Sequence, residues 1–232
     1  ENENIIKPNL ICNHENFPEK IKNLLPDNFK IYGTLNKNYS NLNVSLWTSI
    51  LFLLDKKFIL LSRKEQFDYI ERIKTQMQEY VKKNFNKFKN RKKFSKIFCL
   101  EILKSDEKIK NPLLVELISF CFKINIIIVD FESFDFSTVT LNEFFNPWVP
   151  TIFLSKVDKF WQPLLTNKNK LFNFESLKFI FDKDIIYYCN DYLEQNFSLL
   201  NNIFEILEMD PSNKQEKNVK ENNKEISNDT FI

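Results

Sequence analysis

Glycine occurs once in this chain, at Gly33, and alanine does not occur at all. Glycine is the residue that enters positive φ without steric cost and lets a phosphate come close to the backbone. A fold organised around glycine-rich phosphate loops is therefore excluded. Without small residues the interior must be filled by large ones, and 25 phenylalanines together with many isoleucines supply them. A length of 232 residues suffices for one sizeable core, so the chain reads as one domain with a tail.

The net charge of +2 is an average over an uneven chain and carries no global nucleic-acid signature. Four cysteines, Cys12, Cys99, Cys121 and Cys189, lie far apart with no CxxC pair, and His14 is the single histidine. That set has no zinc-ligand spacing, so neither a metal nor a cofactor is expected. Cys99 and Cys121 lie inside apolar runs, where a free cysteine acts as a small hydrophobe. This usage fits a reducing, intracellular compartment. No apolar stretch reaches the roughly 18 to 20 residues of a membrane span.

Three parts follow from the pattern along the chain. Residues 1–40 form an irregular lead, punctuated by Pro8, Pro18 and Pro26, that packs on the core as turns and short helices. Residues 41–209 carry the domain. Within it, Ser45–Leu54 is apolar at nearly every position and reads as a central helix. Ser62 and Glu65 form a capping box ahead of a long helix with Phe67, Ile70, Met77 and Val81 at helical spacing. "NPLLVELISFCF" starts a helix with Asn111 as N-cap and Pro112 at the first position. It runs into "INIIIVDF", β-branched on both alternating faces and so a strand covered on both sides. "PTIFLSK" and "KFWQPLL" read as a hairpin around Val157 and Asp158, with Pro163 at its edge or end. A helical stripe from about Asp184 to Met209 closes the domain. Residues 210–232 have almost no apolar residues before the last two, and such a segment buries too little to offset its ordering entropy, so it reads as a disordered tail.

Residues 81–96, "VKKNFNKFKNRKKFSK", hold eight Lys or Arg and no acid, with Phe85, Phe88 and Phe94 between them. One reading is a solvated basic face whose phenylalanines reach the core. The other is a patch for phosphates or an acidic protein, centred on Lys89, Arg91, Lys92 and Lys93. Trp47 and Trp161 read as core or groove-lining aromatics and join these residues as candidate binding positions. The carboxylates of "KSDEK", "DFESFD" and "FDKD" have no spacing that specifies acid/base or metal work, and Asp130, at the end of the buried strand, reads as structural.

This order of parts resembles the ovarian-tumour (OTU) family of papain-like cysteine proteases, whose signature is a D-G-N-C-L-[FW] turn opening the central helix and, much later, an H-[YW] pair on a strand. Here "LNVSLW" takes the place of the turn, with Leu42 at the Asp position, Asn43 at the Gly, Val44 at the Asn and Ser45 at the nucleophile. "NPLLVELISFCFKINIIIVDF" resembles the family's helix and strand, and in "PTIFLSKVDKFWQPLL" Phe160 takes the histidine position and Trp161 the aromatic after it. The resemblance covers residues 40–166. It implies an α+β fold, a small central sheet flanked by helices, here with an added C-terminal helix.

A papain-like mechanism needs a thiolate, an imidazole and oxyanion donors. Ser45 brings no base in its motif, Phe160 accepts no proton, and Ser45 reads as a helix N-cap. The expectation is thus an inactive OTU-like domain, without cofactor, that binds another protein, ubiquitin-like or a component of a viral assembly. The richness in Asn, Lys, Ile and Phe reflects A/T-rich coding such as that of large DNA viruses, which implies a cytoplasmic, virus-factory or virion location. Two other classes stay open. One is an active cysteine protease or deubiquitinase pairing a surface-exposed His14 with one of the four cysteines. The other is a nucleic-acid-associated factor using residues 81–96.

Overall fold

The β-branched run expected to be covered on both sides is a strand, Asn125–Asp130, in which every residue but the last is buried. In the computed structural model of the protein, residues 9–40, 42–104, 112–157, 159–181 and 188–196 are described. They lie within the unit Glu1–Gln195, apart from Asn196. The buried run is β3 of a mixed seven-stranded sheet. In spatial order the strands are β1 (Asn9–Asn13), β2 (Phe29–Gly33), β6 (Phe160–Thr166), β5 (Thr151–Val157), β3, β4 (Asp135–Val139) and β7 (Cys189–Asp191). β3 with β5 and β4 with β7 pair in parallel, and the other neighbours are antiparallel.

Among the described residues the α-helices that accompany the sheet are α1 (Glu19–Lys22), α2 (Ser45–Leu54), α3 (Arg63–Asn84), α4 (Lys96–Lys104), α5 (Pro112–Phe122), α6 (Phe174–Phe181) and α7 (Tyr192–Gln195). Ile127 and Val129 of β3 join Phe17, Ile21 and Leu25 from the N-terminal lead and Leu177 of α6 in one core. Alternation sends Ile126 and Ile128 to the other face, the side of α2 and α5, whose residues are almost all buried. The phenylalanine-rich composition fills the first core directly. Phe29, Phe153 and Phe172 meet with ring centroids 4.9–5.5 Å apart.

Several local expectations are met. The capping box of α3 is formed, with Ser62 N–H donating to Glu65 Oε2 (2.8 Å) and Glu65 N–H to Ser62 Oγ (3.4 Å). α2 has the expected bounds, and β5 and β6 form the hairpin. Pro112 opens α5, while Asn111 lies outside the described residues. The scarcity of glycine also shows. Lys123 ends α5 at φ 56° and Phe134 turns β3 into β4 at φ 58°, two left-handed positions that elsewhere favour glycine. Gly33 instead serves close approach, since a Cβ there would stand 3.1 Å from the Ile11 side chain across the β1–β2 pair.

Three expectations change. The lead is more than turns and short helices, because β1 and β2 are strands of the sheet. The C-terminal helical stripe is interrupted, since Cys189–Asp191 is a strand on β4 and only Tyr192–Gln195 is helical. The rest of that stripe beyond Asn196, its first residues and the 210–232 tail fall outside the described residues. Pro163 sits inside β6, opposite Leu154 of β5. It is tolerated because pairing with β2 begins only at Leu164, so on that side Pro163 faces no partner strand and its missing N–H leaves nothing unpaired.

Phe153→Ala should lower unfolding stability by about 3–5 kcal/mol, the usual cost of emptying a buried phenylalanine site. Phe144→Ala, at an exposed position, should shift it by less than about 0.5 kcal/mol. Denaturant midpoints at constant m-value measure both.

Candidate functional site

The strand pairing that stops at Leu164 leaves the β2 side of β6 open from Phe160 to Pro163, and α2 closes it. The Ser45 hydroxyl accepts Trp161 N–H at 2.9 Å, and the Ser49 hydroxyl, one helical turn on, donates to Trp161 C=O at 3.0 Å. Two side chains four residues apart on one helix face thus satisfy both backbone groups of one strand residue. Ser45 Oγ–H in turn donates to Asn43 Oδ1 at 2.7 Å. Asn43 Oδ1 also takes Ser45 N–H at 3.0 Å, and Asn43 Nδ2 donates to Lys159 C=O at 2.9 Å.

Ser45 is therefore the first residue of α2 and does not cap it, contrary to the expectation from sequence. The first helical N–H is met by Asn43, and the fully buried hydroxyl of Ser45 joins helix to hairpin. The bonds to Lys159 and Trp161 bracket half-buried Phe160, so its stretch of backbone runs beside the start of α2. Around them Gln162 accepts Thr34 N–H (3.0 Å) and donates to Asn36 Oδ1 (2.8 Å), while Thr48 donates to Leu35 C=O (2.7 Å). Every side chain in this network is neutral. It can orient and hold, and it offers no group that exchanges a proton near neutral pH.

The other candidates are placed elsewhere. His14 is buried rather than exposed. Its Nε2 donates to Leu25 C=O at 3.1 Å and its Nδ1 lies 3.8 Å from the Asp27 carboxylate. It follows β1 at one margin of the sheet, whereas Cys189 is in β7 at the other. Burial pushes the Cys99, Cys121 and Cys189 thiols up to about 12, and Cys12 is raised by the same cause. None of these thiols is bonded to His14. Trp47 and Trp161 are 2% and 5% exposed and sit in the core rather than on an open groove wall. Asp130 accepts Lys156 Nζ at 2.9 Å and the amides of Glu132 and Ser133. Burial works to raise its carboxyl, but Lys156 and the two amides outweigh that and hold it low. Among the described residues no group of three or more His, Cys, Asp or Glu could hold a metal, and no helix is long and apolar enough to cross a membrane.

The four basic candidates do not act as one patch. Lys89 turns inward, with Nζ 3.1 Å from Glu116 Oε2 and 3.3 Å from Thr140 Oγ1. Lys93 reaches toward Glu194 at 3.9 Å, while Arg91 and Lys92 are exposed. Phe88 and Phe94 are buried, and Phe85 is half-buried. Sequence reasoning missed Glu116, a lone acid in the apolar run of α5. It also missed Phe144 and Trp148 in "NEFFNPW", whose signal was a set of aromatics among loop formers. Glu116 receives Asn90 Nδ2 and Lys89 on Oε2, while its buried Oε1 has no partner. Burial pushes its carboxyl up to about 7, assisted by Asp191 and opposed by Lys89 and Lys93.

No protein-family model and no curated protein matches the chain. Among solved structures, an ovarian tumour (OTU) domain in complex with ubiquitin is similar at a TM-score of 0.44 and 15% identity, over 72% of this chain and 88% of that one. A likeness of this size bears on neither activity nor partner.

Ser45→Ala should cost about 1–3 kcal/mol, because Trp161 N–H is left unpaired in a buried place; urea unfolding measures it. Glu116 holds its proton more tightly folded than unfolded, since its ordinary value of 4.5 rises to about 7. Its contribution to stability is full below about 4.5 and is lost as pH rises through about 7. Melting temperature should fall over that window, and Glu116→Gln should flatten the fall.

Proposed function

We propose that this chain is an OTU-like domain without hydrolase activity that works by binding another protein inside the cell, as an interaction or scaffold module. The observation that carries the reading is the state of the Ser45 hydroxyl. Its proton is directed at the amide oxygen of Asn43, which is no base, and one of its two lone pairs accepts Trp161 N–H. A serine nucleophile needs a base to receive its proton. The residue beside it, Phe160, supplies none.

The cysteine-protease alternative has less behind it, because His14 is engaged with Leu25 and the raised thiols hold little thiolate at neutral pH. The motif resemblance of "LNVSLW" and "KFWQPLL" makes ubiquitin the first partner to test, and A/T-rich coding makes a viral assembly component the second.

A ubiquitin probe with a thiol-reactive C-terminus should form no adduct with the protein or with Ser45→Cys, since a thiol at position 45 still lacks an imidazole neighbour. Ubiquitin-chain or peptide cleavage by the unmodified protein that disappears in Ser45→Ala would sink the reading.

A further inference from the structure

The loop between β4 and β5 faces the basic segment between α3 and α4 across an open groove of about 590 Å³. Small-ligand sites span roughly 300–1,000 Å³. One wall carries Lys87, Lys89 and Arg91, and the other runs from Leu141 to Pro147. Both walls are fixed from below. Lys89 is pinned to buried Glu116 and to Thr140, which leaves its neighbours Lys87 and Arg91 on the outside. The opposite wall hangs on Asn125, 1% exposed, whose Nδ2 donates to Asn146 C=O (2.9 Å) and Val149 C=O (3.4 Å) and whose Oδ1 accepts Leu141 N–H (3.4 Å).

What these walls present is unusual for a solvated loop. Phe144 is 81% exposed with no ring partner among the described residues. Trp148, just past the groove's Pro147, is 72% exposed and stacks on Phe174 at 4.1 Å, so one face of the indole is supported and the other open. Among the described residues, Lys87, Arg91 and Lys92 have no carboxylate partner, and Glu143 is the one acid of the groove. Cations alone would serve any acidic segment. Flat rings at the surface, Phe144 in the groove itself and Trp148 one residue past its lining and backed by Phe174, serve bases, which stack on aromatic faces while the phosphates meet Lys and Arg.

The geometry points to this groove as a docking site for a short single-stranded stretch of nucleic acid, about two nucleotides, with bases on Phe144 and Trp148 and phosphates on Lys87 and Arg91. The site is independent of the α2–β6 junction and of the protein-binding reading. Whether the strand is RNA or DNA is decided by the sugar, so both are used in the test.

Fluorescein-labelled rU10 and dT10 are titrated into the full chain by anisotropy over a series of KCl concentrations. Expected is binding of at least one of them, with a log–log salt slope of about −1.4 for two phosphates and quenching of tryptophan emission. Phe144→Ala with Trp148→Ala should weaken it by about tenfold or more at an unchanged salt slope. Lys87→Glu with Arg91→Glu should weaken it and flatten the slope. Lys20→Glu with Lys64→Glu, the same charge change on α1 and α3, should act little. All these positions are exposed, and circular dichroism confirms folding. Absence of binding to both oligonucleotides at 50 mM KCl (about a 14 Å screening length), equal loss from the groove and control charge variants, or binding of an acidic peptide in preference to either oligonucleotide would each overturn the proposal.

Discussion

A helix closes the open edge of a strand through two hydroxyls, and the arrangement around the central helix depends on this junction. β6 has a strand on its β2 side only from Leu164 onward. Before that point Trp161 would present an N–H and a C=O to the protein interior, at a cost comparable to a lost hydrogen bond each. Ser45 and Ser49 meet these groups. Pro163 falls where a further N–H would find nobody. Strand, proline and serines are therefore one solution, and the neutral network of Asn36, Asn43, Thr34 and Gln162 extends it to the segment that leads into α2.

What could be read from the sequence was what local chemistry decides. The Ser62/Glu65 box, the start of α5 at Pro112, the doubly buried run of β3 and the β5–β6 hairpin each declare themselves within a few residues. β1 did not, because Leu10 and Ile11 are exposed and the segment has no alternation; it is a strand because β2 lies beside it. The three-residue β7 likewise exists through its pairing with β4. Ser45 was placed at the right helix end with the wrong task, since its acceptor role is set by a backbone amide 116 residues away. Lys89 looks like its seven basic neighbours, and Glu116 of α5 with Thr140 distinguishes it.

Two buried polar side chains, Glu116 and Asn125, stand out because each sits in an apolar element and organises surface loops rather than the core. A buried polar group is costly unless paired. Asn125 is well satisfied, with contacts along the β4–β5 loop. Glu116 is only half satisfied, since Oε1 has no partner. The rigidity of the groove walls thus rests on one saturated anchor and one that titrates near neutral pH.

The junction at Trp161 also couples motions that a continuous ladder would keep apart. Between two strands, fraying at one end can proceed residue by residue. Here the amide of Trp161 is held by a side chain on the first turn of a helix that is buried up to Leu53. That amide reaches solvent only when the start of α2 lifts as a unit, so its hydrogen-exchange protection reports the opening energy of the helix rather than of the hairpin. The Ser45 hydroxyl is thus the latch of a cooperative folding unit.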